Sequence, residues 1–385
     1  MRKRTRLAAA GGSLLAAAIA IFGVPAVASA STTSPVVGYT YLDGNTATAN
    51  TIDAYARHAD GSLTPLAGSP FAAGGAGLGT GLASQGAIQV TQDGRYLLAV
   101  DAGSNQISVL RITAGGIPVL VGQPVSSDGI KPVSVAVSPF GLVYVANSGT
   151  GGSNYAGFRL SLNGTLTPVP GSTYAVPDGS GLGDVFFNAF GNHVIGTRTG
   201  TSEIDSFLVL PDGRLLPAQG SPFTGQGLGQ LGAEFSPANP SQLFVSNAHN
   251  GTGLGTVSAY HDSLFGQLSS IGSSPYADGQ TAPCWVEISH DGKYLFAVNT
   301  GSGNISSYAI SPDGSLSLIG STPITGGGAD IDARLSPDGR YLLVDGSGMH
   351  FVSVFAVHGG SLTEVPSSPT PLPAGVTSSA GIANT

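Results

Sequence analysis

Residues 285–318 read WVEISHDGKYLFAVNTGSGNISSYAISPDGSLSL. A strand-like run from Trp285 to Ser289 is followed by the turn His290-Asp291-Gly292, and Tyr294 to Asn299 forms a second run. Asn304 to Ile310 is a third, and Asp313-Gly314 introduces a fourth from Ser315 to Leu318. Two-residue alternation rich in β-branched and aromatic side chains, punctuated by Asx-Gly turns, predicts four short antiparallel strands. Glycine supplies the positive φ of such turns, while Asp or Asn bonds its own backbone.

The phrase is repeated along the chain. An X-Gly turn followed within two residues by Leu or Ile recurs at Gly61, Gly116, Gly164, Gly213, Gly266, Gly314 and Gly360, at spacings of 46 to 55 residues. The second strand returns as Tyr96 to Asp101, Val143 to Asn147, Leu243 to Asn247 and Tyr341 to Asp345. A strand-built repeat of this length implies small sheets arranged radially. The expected fold is all-β, a seven-bladed β-propeller with four-stranded blades. No linker interrupts the series, so residues 31–385 are expected to form one domain. Val36 to Tyr41 matches a second strand with no first, and Ala380 to Thr385 is a first strand with nothing after it. Pairing the two ends completes the first blade and removes the exposed edges of an open ring.

Residues 1–30 read as a secretory signal peptide. Arg2, Lys3, Arg4 and Arg6 precede an apolar stretch from Leu7 to Val24, and Ala28-Ser29-Ala30 offers a small-residue cleavage site. Localisation is therefore expected to be extracellular after cleavage behind Ala30. No second apolar stretch approaches spanning length, so the mature chain is not expected to insert in a membrane. Of 14 Lys and Arg, four lie in the leader, leaving ten against 22 Asp and Glu, a formal charge of −12. That balance excludes nucleic acid as an expected partner. Cys284 is the only cysteine, so no intrachain disulfide is available. The chain is expected to be a monomer.

Strand direction sorts the loops into two faces. The stereotyped first-to-second and third-to-fourth turns share one end. The second-to-third loops and the blade crossovers share the other, and it is on that loop-rich face that a site is expected to open. The first strands line the channel. One side of them holds Asp184, Glu234, Trp285, Glu287, Asp332 and Arg334, all from blades four to seven. This asymmetry suits a structural network with Glu287 paired to Arg334, a ligand pocket around the acids and Trp285, or an acid/base pair. The second strands end in Asp101, Asn147, Arg198, Asn247, Asn299 and Asp345, a ring that caps turns or could hold Ca²⁺ through oxygen ligands. Arg198 either clamps an anionic ligand or pairs with Glu203 or Asp205. Among seven scattered histidines only His249 falls on the loop-rich face, and none has metal-ligand spacing.

Ser336-Pro-Asp-Gly-Arg-Tyr-Leu-Leu-Val344, Tyr144-Val-Ala-Asn147 and Ala297-Val-Asn-Thr-Gly-Ser-Gly-Asn-Ile-Ser306 resemble the lactonase-type seven-bladed propellers, which include 6-phosphogluconolactonases and YVTN-repeat surface proteins. The resemblance covers residues 31–385 and implies the same fold. It also implies a Gly-Pro-Arg-His motif entering a first strand and Asn-Glu closing the next. In blade six the Arg, His and Glu places fall on Cys284, Trp285 and Thr300, with Pro283 and Asn299 matching; in blade four they fall on Gly183, Asp184 and Thr199. Two readings follow. The first is a hydrolase of an extracellular lactone or sugar derivative that uses Asp184 and Glu234 to orient water, with Arg198 or Arg334 steadying the oxyanion. The second is a non-catalytic propeller that binds a glycan, a peptide or a cell-surface protein through its loop-rich face.

Overall fold

The computed structural model describes Met1 and residues 34–329, 332–376 and 378–385. The leader beyond Met1 lies outside the described residues. Seven antiparallel sheets follow one another along the chain, and the 3₁₀ turn Ser347–Met349 is the sole helix among the described residues. The inner strands of blades two to seven are Ile88–Val90, Pro132–Val137, Leu182–Phe187, Gln230–Phe235, Pro283–Ile288 and Asp332–Leu335. Each inner strand lies beside the next around the axis.

The last strand closes the ring. Ile382–Asn384 pairs antiparallel with Val36–Asp43, with Leu42 opposite Ile382 and Thr40 opposite Asn384. It therefore supplies the inner strand of blade one and lies between the inner strands of blades seven and two. Seven four-stranded blades result, as the sequence implies.

The outer strand carries a detail that periodicity does not show. In six blades it is split into two short segments that pair with the two ends of the third strand; in blade six it runs unbroken as Leu316–Pro323. The splits fall on Gly, Ser and Pro, residues that weaken a ladder. In five blades a serine hydroxyl at the split accepts the third-strand N–H left without an acceptor. These are Ala54 N to Ser69 Oγ at 2.9 Å, Gly157 N to Ser172 Oγ at 3.0 Å, Ser206 N to Ser221 Oγ at 3.0 Å, Ala259 N to Ser274 Oγ at 2.7 Å and Val354 N to Ser368 Oγ at 3.0 Å. Each replaces a ladder bond that would otherwise be lost in a buried sheet.

The repeated X-Gly turn has a second task. Its carbonyls receive a side chain from the preceding blade: Tyr41 Oη donates to Gly116 O at 2.8 Å, Tyr96 to Leu162 O at 2.9 Å and Tyr144 to Gly213 O at 2.6 Å. Ser206, Gln242 and Tyr341 do the same to Gly266, Pro312 and Ala59. The Tyr341 bond joins blade seven to blade one, so the closing interface is built like the others.

Ile382 is fully buried, and the Ile382 N–H donates to Asp332 Oδ2 at 3.3 Å. Loss of such a side chain costs about 2–5 kcal/mol, and an uncompensated buried carboxylate adds about 3 kcal/mol or more. Deletion of residues 380–385 is expected to lower Tm by about 10 °C or more, and an unchanged melt in calorimetry would refute the closure.

Candidate functional site

The channel acids are built into the joints between blades. Asp184 Oδ2 accepts the Ala233 N–H of the next inner strand at 3.2 Å, and Glu234 accepts that of Ile288. Glu287 Oε1 accepts the Leu335 N–H at 2.8 Å, and Asp332 Oδ2 accepts that of Ile382. The same step is made in blade three by a hydroxyl, with Val185 N donating to Ser134 Oγ at 3.2 Å. In blade two a backbone carbonyl serves, with Val135 N donating to Gly86 O at 2.9 Å. Six successive interfaces thus use one device.

One guanidinium serves the acidic side. Arg334 Nη1 lies 3.3 Å from Glu287 Oε2, and its charge also acts on Asp332, Glu234 and Asp184. Burial opposes ionisation of all four acids more strongly than Arg334 favours it. It pushes Asp184 up to about 8 and Asp332 to about 6, and raises Glu287. Glu234 is driven well above the usual range by burial and then by the Glu287 charge, and its buried Oε2 has no hydrogen-bond partner.

The loop-rich mouth of this channel is filled by the chain itself. Ser84 and Gln85, both buried, precede the inner strand of blade two. Trp285 Nε1 donates to Ser84 O at 2.9 Å, and Ser84 Oγ donates to Val133 O at 2.7 Å. Gln85 N donates to Gly183 O at 2.9 Å, while its side-chain amide bonds both backbone groups of Val286 at 3.3 Å. Gly232 makes room for it, since a methyl there would overlap Gln85 Oε1. One dipeptide therefore spans blades three, four, five and six. Beneath it Asp184, Trp285 and Asp332 are buried. The lower half-buried residues, Gln89, Phe186, Glu234, Arg334 and Asn384, belong to the part of the channel nearer the stereotyped turns. Ser84 and Gln85 were not among the sequence candidates. The available signal is length, because residues 73–87 form the longest crossover between blades.

The remaining candidates lie apart from the channel. Arg198 is buried and bidentate with Asp205, at 2.6 Å for both bonds, and reaches Glu203 at 3.3 Å. Tyr155 Oη also donates to Asp205, at 2.9 Å. Four second-strand ends are tied within their blades, Asp101 to Ser108, Asn147 to Asn154, Asn247 to Ser258 and Asn299 to Ser306, while Asp345 accepts from Ser379 of the crossover to the closing strand. No group of three or more His, Cys, Asp or Glu with metal-binding geometry occurs among the described residues. His249 is exposed and packs on Gly229. Cys284 is buried, and desolvation pushes its thiol up to about 11, so it is a poor nucleophile. Where blade four sets Arg198 against Asp205, blade one sets Asp43 near Asp53. Both are buried, and Asp53 has neither oxygen partnered. Burial raises Asp53 to about 7 and Asp43 well above its usual range.

The sequence profile of the lactonase, 7-bladed beta-propeller family matches residues 36–180 and 236–376. The chain belongs to that family. No curated protein matches it in sequence. Among solved structures, a candidate 6-phosphogluconolactonase of Bacteroides uniformis is 20% identical over 90% of this chain and 99% of its own, with a TM-score of 0.73. The periplasmic gluconolactonase of Pseudomonas aeruginosa is 18% identical over 90% and 99%, with a TM-score of 0.72. A Lactobacillus plantarum protein is 18% identical over 91% and 100%, at 0.72. These likenesses are ones of fold. In this family member, the motif places of blade six hold the buried Cys284, the buried Trp285 that supports the plug, and Thr300.

The buried acids set a pH dependence. A carboxyl whose folded pKa is raised contributes stability that is present below its unfolded value near 4 and lost as pH rises through the folded value. With Asp332 and Asp101 near 6, Asp53 near 7 and Asp184 near 8, Tm is expected to be higher at pH 5.5 than at pH 8.5. Asp184→Asn should flatten that slope, and a Tm that climbs with pH over this range would contradict the assignment.

Proposed function

We propose that this chain is a non-catalytic member of the lactonase propeller family, exported behind a cleaved leader, that binds a protein segment across its loop-rich face. The observation that carries this reading is the plug. With Ser84 and Gln85 bonded across the mouth, a ligand on the loop-rich face meets a closed floor, and Asp184 beneath is already bonded to Ser134 and Ala233. Catalysis needs a base within hydrogen-bond reach of its proton. Arg198, the other candidate for an oxyanion, is held by Asp205 and Glu203.

The chemistry of the face supports a protein ligand. Leu78, Ile130, Leu228, Leu254 and Met349 are exposed around the mouth, on the loops and crossovers of several blades. Exposed charges there are sparse, with Asp128 and Asp178 prominent. Low charge and scattered aliphatic anchors suit the centre of a protein interface. Sugar rings stack on flat aromatic surfaces, and no Phe, Tyr or Trp among the described residues is exposed on this face.

One observation favours the hydrolase reading instead. Glu234 has a raised pKa, an unpartnered oxygen and a neighbouring guanidinium, the pattern of a general acid. The gluconolactonase named above shares the fold. Both readings meet one test, in which purified residues 31–385 are assayed on glucono-δ-lactone, its 6-phosphate and an aliphatic lactone. Hydrolysis is expected to stay at the buffer rate and to be the same for Glu234→Gln. Turnover that falls about 100-fold in Glu234→Gln would establish the hydrolase. Peptides selected on the wild-type protein are expected to bind at least about tenfold more weakly to a Leu228→Ser/Leu254→Ser/Met349→Ser variant, as loss of buried apolar anchors implies.

A further inference from the structure

The opposite face carries its own pattern. Five apolar side chains stand at the tips of its stereotyped turns: Phe140 is 80% exposed, Leu162 84%, Phe190 64%, Leu264 89% and Phe265 70%. Phe140 and Phe190 occupy first-to-second turns; the others occupy third-to-fourth turns, so up-and-down pairing puts all five at one end of blades three to five. They are continuous. Phe140 and Leu162 line one depression, Phe190 and Leu264 line another, and Gly191, next to Phe190, sits against Phe140. A run of exposed aromatic and leucine tips is rare on a soluble monomer and marks an interaction surface.

We propose that this turn face docks on a zwitterionic lipid surface, with the five tips entering the interfacial layer. Two observations select that occupant. The tips protrude from turns, and a lipid interface deforms around protruding apolar groups where a rigid partner would need matching hollows. The neighbouring charges are largely matched: Arg95 with Asp93, Arg214 with Asp212 at 2.7 Å and Lys293 with Asp291 at 3.2 Å, with Arg159 donating to Asp212 O at 3.2 Å. The face therefore neither seeks nor strongly repels anionic headgroups, unlike the basic surfaces that bind anionic lipid. Apolar tips on an interface bind by the area they bury.

The proposal stands apart from the loop-rich face and its ligand. Residues 31–385 should float with phosphatidylcholine vesicles, and Phe140→Ser/Leu162→Ser/Phe190→Ser/Leu264→Ser/Phe265→Ser should lower the vesicle-bound fraction at least tenfold. Trp285 is the only native tryptophan and is buried, so Phe190→Trp and Phe265→Trp report directly. Each should shift its emission to the blue when vesicles are added, and this readout decides the matter if the fivefold variant does not fold. Failure to float, flotation only with phosphatidylglycerol vesicles, or tryptophan emission indifferent to vesicles would overturn the proposal. So would a wild-type dimer that the fivefold variant converts to monomer, since a second copy would then be the occupant.

Discussion

Seven inner strands face an axis, and the N–H groups they turn toward the preceding blade must find acceptors there. A buried amide without an acceptor costs about 1–3 kcal/mol, and the problem recurs at each joint. The chain meets it from the preceding inner strand, with a carbonyl at Gly86, a hydroxyl at Ser134, and carboxylates at Asp184, Glu234, Glu287 and Asp332. Carboxylates join blades strongly but bring charge into a buried region. Arg334 answers part of it, and raised pKa values answer the rest. Blade order, channel electrostatics and pH response descend from the same constraint.

That constraint changes how the acids read functionally. A cluster of perturbed carboxyls in a propeller channel is the pattern expected of an active site. Structural ion networks perturb pKa values equally well, and here each acid has a backbone partner one blade on. Gln85 makes the distinction sharper. A side chain from the crossover before blade two bonds to blade six, so the channel top serves as a joint between distant blades. Gly232 belongs to the same joint, because any side chain there would expel the amide.

The fold was legible because it is periodic. Strands such as Tyr294–Asn299 and Asn304–Ile310 carry local signals of alternation and Asx-Gly turns, and the incomplete ends announce the closing strand. The pairing of Glu287 with Arg334 was also within reach, since equivalent positions on adjacent blades must be neighbours. Gln85 was not. Its side-chain partner Val286 is 201 residues away in sequence, it sits on an irregular crossover, and nothing local tells whether a glutamine points to solvent or across a channel. The serines at the outer-strand splits were missed for a related reason. Ser69 and Ser221 look like turn residues, and their ladder role exists only once the third strand lies beside them.

A propeller held at its joints in this way leaves its two ends free to differ. On the turn end, the X-Gly turns of blades one to six are fixed by the preceding blade, as at Gly116 and Gly213, so turn shape is constrained while the outward side chain is not. Phe140 occupies the place where other first turns carry Asp291 or Asp338, and Leu162 stands beside the Asn163-Gly164 turn. These substitutions leave the hydrogen-bonded frame intact and alter only what the face presents. The loop end is under the opposite regime. Its crossovers vary in length, and one of them, folded inward as Ser84-Gln85, completes the core. Fold information thus resides in the joints, and the chemistry that can distinguish this protein from its structural relatives resides in side chains that the joints do not use.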